Sequence, residues 1–230
     1  MASDEEIMLT FVDKLINEII TPTIVLEQIF KQAVKSNHIR VVEKFLKSKL
    51  INTKFISDNI GDVLYCNFSQ TRNYDMVYLF LSDPEIKLGV CLNNIFYVAC
   101  YDGSLENTKK LLDYVDPSEN NGHSLNNAAM WGHIEIVKLL LADNRINFKN
   151  NTIAITKAFN NKHIEIVKLL IPLVDLSKID IAGIHEIAKE IIPKPISLNM
   201  ITELSEFMKK HNLQSVFVES GKEVKIVYNS

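Results

Sequence analysis

Apolar residues in this chain recur at helical rather than strand spacing. Leu125, Ala128 and Ala129 fall at i, i+3 and i+4 and run into Gly132. Ile136, Val137, Leu140 and Leu141 then fall along one face of a second segment. The spacing predicts two short helices joined by a tight turn, with Gly132 as the left-handed residue that ends the first. The text then returns: HIEIVKLL occurs at 133–140 and again at 163–170.

Aligning the chain on Glu135 and Glu165 and walking backwards brings Glu106, Asp75 and Arg40 to the same place. The period is about thirty residues, with small insertions in the early units, which marks a stack of supersecondary units. Gly103 matches Gly132. Ala33, Ala99 and Ala158 match Ala128, where a small residue lets two helices approach closely, and Phe68 breaks that rule in the second unit. The connecting text repeats as well: FLSDPEIKL (80–88) aligns with LLADNRINF (140–148), and YVDPS (114–118) with LVDLS (173–177). One helix pair cannot bury both its apolar faces, so a neighbour with the same pattern continues the core.

NGHSLNNAAMWGHIEIVKLLL (121–141) resembles an ankyrin repeat, a first helix ending A-A-x-x-G-H followed by x-E-I-V-K-L-L-L. KAFNNKHIEIVKLLI (157–171) and VACYDGSLENTKKLL (98–112) are further copies, and the units around 26–46 and 60–81 are degenerate. The family's T-P-L-H start reads H-S-L-N at 123–126. The linker style is similar to that of ankyrin proteins of giant DNA viruses of amoebae, and the abundance of Asn, Ile and Lys fits an A/T-rich genome. The resemblance implies an all-α solenoid of about five helix pairs over 22–176. It also implies a function, binding a partner protein through the concave face that first helices line.

The ends differ from the repeats. Ser3 with Glu6 has capping-box spacing, and Met8, Val12, Leu15, Ile16 and Ile19 follow at helical intervals. Residues 1–21 are therefore expected to form a helix capping the stack, polar on its outer side. Residues 177–230 are expected to form a helical cap, with patterns at 181–192 and 198–210, and then a β-hairpin in SVFVESGKEVKIVY (215–228). A three-residue loop, Ser220 to Lys222, puts Val216, Val218, Val224, Ile226 and Tyr228 on one face. That face packs on the cap, or the hairpin serves as a partner-binding edge or a contact between two copies of the chain. A second reading of the C-terminal region makes the protein an adaptor that recruits ubiquitin-ligase or other machinery, by comparison of 190–207 with an F-box-like segment.

Composition narrows the function. Apolar residues make up 47% and the net charge is −3, with Arg40, Arg72 and Arg145 the only arginines. No nucleic acid is expected as a partner, because clustered positive charge facing phosphates is missing. No apolar run approaches about 18 residues, so no membrane span is expected. An acidic N-terminus lacks the form of a signal peptide. Cys66, Cys91 and Cys100 lack C-x-x-C spacing and are read as buried thiols. The expected location is cytoplasmic, the host cytoplasm if the source is viral, and reducing.

No catalytic motif or cofactor signature is present, and neither an enzyme nor a cofactor is expected. His38, His133 and His163 share one repeat position; a repeat apart, they cannot converge on one ion and are read as loop histidines bonding nearby backbone. Glu135 with Lys138 and Glu165 with Lys168 are read as solvated i, i+3 pairs. The expected binding positions flank the A-A pair on the outward side of first helices: Asn127, Met130 and Trp131, with Val98, Tyr101 and Asp102, then Lys157, Asn160 and Asn161, and Asn67, Gln70 and Thr71. Tyr101, Met130 and Trp131, expected to adjoin across two repeats, are the candidate anchors, since exposed aromatics are typical of interface centres.

Overall fold

The structure is a computed structural model that describes residues 3–17, 22–146, 152–170, 173, 216–220 and 223–227. It comprises two compact units, Met1–Glu119 and Asn120–Ser230. The helices expected at 181–192 and 198–210, and the segment read as F-box-like, lie outside the described residues.

The first unit opens with α1 (Asp4–Asn17). Its capping box forms as expected: the Glu6 amide donates to Ser3 Oγ at 3.3 Å, and the Ser3 amide donates to Glu6 Oε2 at 3.1 Å. Val12 is buried, and α1 packs on α3 (Ile39–Ser48). The contact is edged by the Arg40 amide donating to Glu5 and by an ion pair of Lys44 with Asp13. The outer side of α1 is less polar than expected, because Ile7 and Phe11, one turn apart, are exposed.

Three helix pairs follow: α2 (Thr23–Lys35) with α3, α5 (Gly61–Thr71) with α6 (Tyr74–Leu81), and α7 (Val90–Asp102) with α8 (Leu105–Leu111). First helices pack on first helices, α2 on α5 and α5 on α7, while α3 meets α6, so the unit has two layers. The core between them includes Phe30, whose ring meets Phe45 and Phe80 edge-on at 5.5 and 6.1 Å. Ala33 and Ala99 are fully buried where first helices meet their neighbours, and Phe68 takes the matching place in α5. The insertion that lengthens the second repeat is a further helix, α4 (Thr53–Asn59), started by the Asn52 side chain accepting from the Lys54 amide at 2.7 Å. Two turns are too few to show a period, which is why the apolar pattern did not foretell it.

The second unit carries α9 (Glu119–Trp131), whose first residue closes the first unit, then α10 (Ile134–Leu141), α11 (Thr152–Asn160) and α12 (Ile164–Leu170). Leu125, Ala128, Ala129, Ile136, Val137 and Leu140 are buried, as their spacing predicted. α11 packs on α12, and α10 on α12. The repeated linker text folds alike in the two units. Asp83 and Asp143 each accept, through the side chain, from the amide two residues on, and through the carbonyl from the amides of Ile86 and Ile146. Both isoleucines are buried.

Near the C-terminus β1 (Val216–Ser220) and β2 (Glu223–Val227) pair antiparallel, with Val216 opposite Val227 and Ser220 opposite Glu223. Two residues lie between the strands, not the three expected. The face expected of Val216, Val218, Val224, Ile226 and Tyr228 concerns side chains that lie outside the described ones.

Candidate partner-binding surface

What each repeat presents outward is set by how its first helix ends. At one repeat position the backbone is left-handed in every described pair: Asn37 (φ 59°), Arg72 (53°), Gly103 (76°), Gly132 (80°) and Lys162 (64°). The next residue turns its amide back into the helix. His38 donates to the carbonyl of Ala33, Ser104 to Ala99, His133 to Ala128 and His163 to Ala158, at 2.8–3.0 Å. This is the Schellman closure, anchored on the small core residue that the alignment singled out. In the second repeat the Arg72 amide donates to the Phe68 carbonyl instead, at 2.8 Å.

Two and three residues beyond that core position, the side chains leave the packed face. At the third the repeats carry Ser36, Thr71, Asp102, Trp131 and Asn161, and all are exposed. Trp131 is 46% exposed and Tyr101, at the second position, is 43% exposed. Tyr101 stands near the end of α7 in the first unit. Met130 and Asn127 on α9 are half-buried, as is Lys157 on α11, whereas Asn160 is exposed. In the second unit the structure thus places Met130 and Trp131 side by side at one helix end.

One expected outward position is filled differently. Asn67 is 5% exposed, and its Nδ2 donates to the Lys35 carbonyl of the preceding repeat at 3.1 Å. Beside Phe68, which stands where the other repeats carry alanine, this polar side chain bonds across to the preceding first helix. Next to it, Arg72 donates through Nε to Asp102 at 2.8 Å and through Nη1 to the Ser69 carbonyl at 2.8 Å. Asp102 is therefore engaged in an ion pair between neighbouring repeats, a role its sequence position alone did not signal.

The histidine position gives another such tie. His163 Nε2 lies 3.1 Å from the Met130 carbonyl, as expected of a loop histidine bonding backbone. His38 behaves otherwise: its Nδ1 is buried and has no hydrogen-bond partner among the described residues. Among those residues no cluster of His, Cys, Asp or Glu is arranged to hold a metal ion. The pairs Glu135–Lys138 and Glu165–Lys168 form at 2.7 and 3.0 Å, on exposed helix faces.

The cysteines need a correction. Cys91 and Cys100 are buried, and burial pushes each thiol up to about 12. Cys66 is exposed. Leu64, Asn67 and Phe68 take the inward side of α5, and a residue two positions from Leu64 or Phe68 lies about 200° around the helix from it. The same burial raises the phenol of Tyr78 to about 12 and that of Tyr74 further.

The two-layer helix pairs and their shared closing turn meet their counterpart in sequence comparison. A family model described as ankyrin repeats (3 copies) matches residues 30–152. The chain belongs to the ankyrin-repeat family. No curated protein and no solved structure matches it. Ankyrin repeats are in general protein–protein interaction modules without catalytic activity, and this chain has their helix pairs with H-S-L-N in place of T-P-L-H. Of those residues Ser124, Leu125 and Asn126 are buried, and Asn126 Oδ1 has no hydrogen-bond partner among the described residues. Among the described residues, no helix is long and apolar enough to cross a membrane.

Proposed function

We propose that this ankyrin-repeat chain binds a partner protein through the outward side of its first helices, with Trp131 as a main anchor. Met130 and Asn127 on α9, Lys157 and Asn160 on α11, and Tyr101 on α7 are the further residues of the proposed surface. The array has five repeats, since α2–α3 and α11–α12 share the core alanine and left-handed turn of α7–α8 and α9–α10.

The observation that carries the proposal is the exposure of Trp131. At that repeat position the other pairs carry Ser36, Thr71, Asp102 and Asn161, so the stack does not require an apolar group there. An indole held 46% exposed at the end of a helix is available to a pocket on another protein. The exposed thiol of Cys66 fits a reducing compartment, in which it persists unpaired.

The test is affinity capture from source-cell extract with the full chain and with Trp131→Ala, compared by mass spectrometry. The proposal expects a protein retained by the first and lost from the second, with the two baits equally folded. Identical capture by both contradicts it.

A further inference from the structure

Helix α9 ends with Met130 and Trp131, and the last carbonyls of a helix have no partner within it. The Met130 carbonyl finds one in the next repeat, 3.1 Å from His163 Nε2. A carbonyl has no hydrogen to give, so Nε2 carries it and donates. The ring can reach this place because residue 132 is glycine. A Cβ on Gly132 would stand 2.6 Å from two atoms of the His163 ring, closer than real contacts allow.

The corresponding carbonyl in the first helix pair, that of Lys35, is also taken by a side chain of the following repeat. There the donor is Asn67 Nδ2, at 3.1 Å. Different residues, from a helix in one case and a loop in the other, thus serve the same backbone atom. Packing alone does not demand a polar group at either site, whereas holding the end of the preceding first helix does.

We infer that His163 is a positioning residue: it fixes the end of α9, and with it the placement of Met130 and Trp131, from the repeat that follows. Gly132 is the second part of the device, since it leaves the space the ring occupies. The consequence for binding rests on the function proposed above, but the geometric claim does not. It assigns a role to the fifth helix pair, which orders the surface of the fourth.

Trp131 is the only tryptophan in the chain, so its fluorescence reports on this helix end directly. The experiment compares His163→Leu, which keeps bulk and removes the donor, with His163→Gln, whose amide nitrogen lies about as far from the backbone as Nε2. Ile166→Val, a buried change in α12 that leaves the tie intact, is the control. The readings are acrylamide quenching of Trp131 and hydrogen exchange of the His133 amide, which closes α9 on Ala128. A net hydrogen bond lost at the Met130 carbonyl corresponds to about fivefold faster local opening.

The inference expects faster exchange and stronger quenching in His163→Leu, both near the parent value in His163→Gln, and neither changed in Ile166→Val. Should His163→Leu fail to fold, His163→Met, which also keeps apolar bulk and lacks the donor, takes its place beside His163→Gln with the same expectation. It is overturned if the leucine variant matches the parent, if glutamine behaves as leucine does, or if the valine control moves both signals equally. No partner enters these readings, so this result and the capture experiment fail independently.

Discussion

Asn67 of α5 donates its side-chain amide to the Lys35 carbonyl of α2 at 3.1 Å, joining two first helices across a repeat boundary. The same side chain accepts from Thr71 Oγ1 at 3.3 Å. Removing it takes from the Lys35 carbonyl its hydrogen-bond partner in the next repeat. Asn67→Ala is expected to lower folding stability by about 1–3 kcal/mol. Urea unfolding measures this directly, and a change within experimental error would show that the bond across the repeats is dispensable.

The left-handed turn predicts changes of opposite sign at equivalent positions. Lys162 has φ 64° with a side chain, while Gly103 has φ 76° without one. A left-handed residue with a Cβ costs about 1–2 kcal/mol, and glycine gives back part of that through the entropy of its unfolded chain. Lys162→Gly should therefore stabilise by roughly 0.5–1 kcal/mol, and Gly103→Ala should destabilise by about 1 kcal/mol or more. Melting temperatures of the two variants should move in opposite directions. Movement in the same direction would contradict the shared turn.

The repeat, its core faces and its turn were legible because they are spelled by residue type. Ala128 with its equivalents, and Leu140 with Leu170, are chosen by a packing task that recurs, and recurrence is visible in one sequence. Asn67 was not legible, because at its repeat position the other units carry Gln32, Val98, Asn127 and Lys157, which share no polar pattern that foretells a bond to the preceding helix. The Arg72–Asp102 pair joins residues thirty apart that carry no pattern. The left-handed turn itself was half legible. Glycine marks it in two units, while Asn37, Arg72 and Lys162 occupy the same backbone with no such mark. Of the candidate surface, the outward positions could be counted from the alanine, but which of them bond across repeats could not.

The thiols predict both reactivity and an alkaline limit to stability. Cys66 is exposed while Cys91 and Cys100 are buried, so an aromatic disulfide reagent at mildly alkaline pH should titrate one thiol rapidly in the folded chain, and all three in urea. The folded values of the buried pair, about 12, lie above the ordinary 9.0 that they regain on unfolding. Between those limits the unfolded chain releases protons that the folded chain keeps. Stability from this source is full below pH 9 and falls as pH rises toward 12, by about 1.4 kcal/mol per pH unit for each thiol. The raised phenols of Tyr74 and Tyr78 act in the same direction above pH 10. Urea titrations at several alkaline pH values should show the fall, and a Cys91→Ala, Cys100→Ala double variant should show a shallower one. Equal slopes would remove the thiols from the explanation.

On the proposed function, Trp131 is exposed for a partner rather than for the stack. The most direct measurement takes Trp131→Ala in the full chain and determines both its melting temperature and its affinity for the protein captured by the parent. The account predicts a melting temperature close to that of the parent and a loss of about 2 kcal/mol or more in binding. An unchanged affinity with a clearly lowered melting temperature would contradict it, placing Trp131 in the stack's own packing.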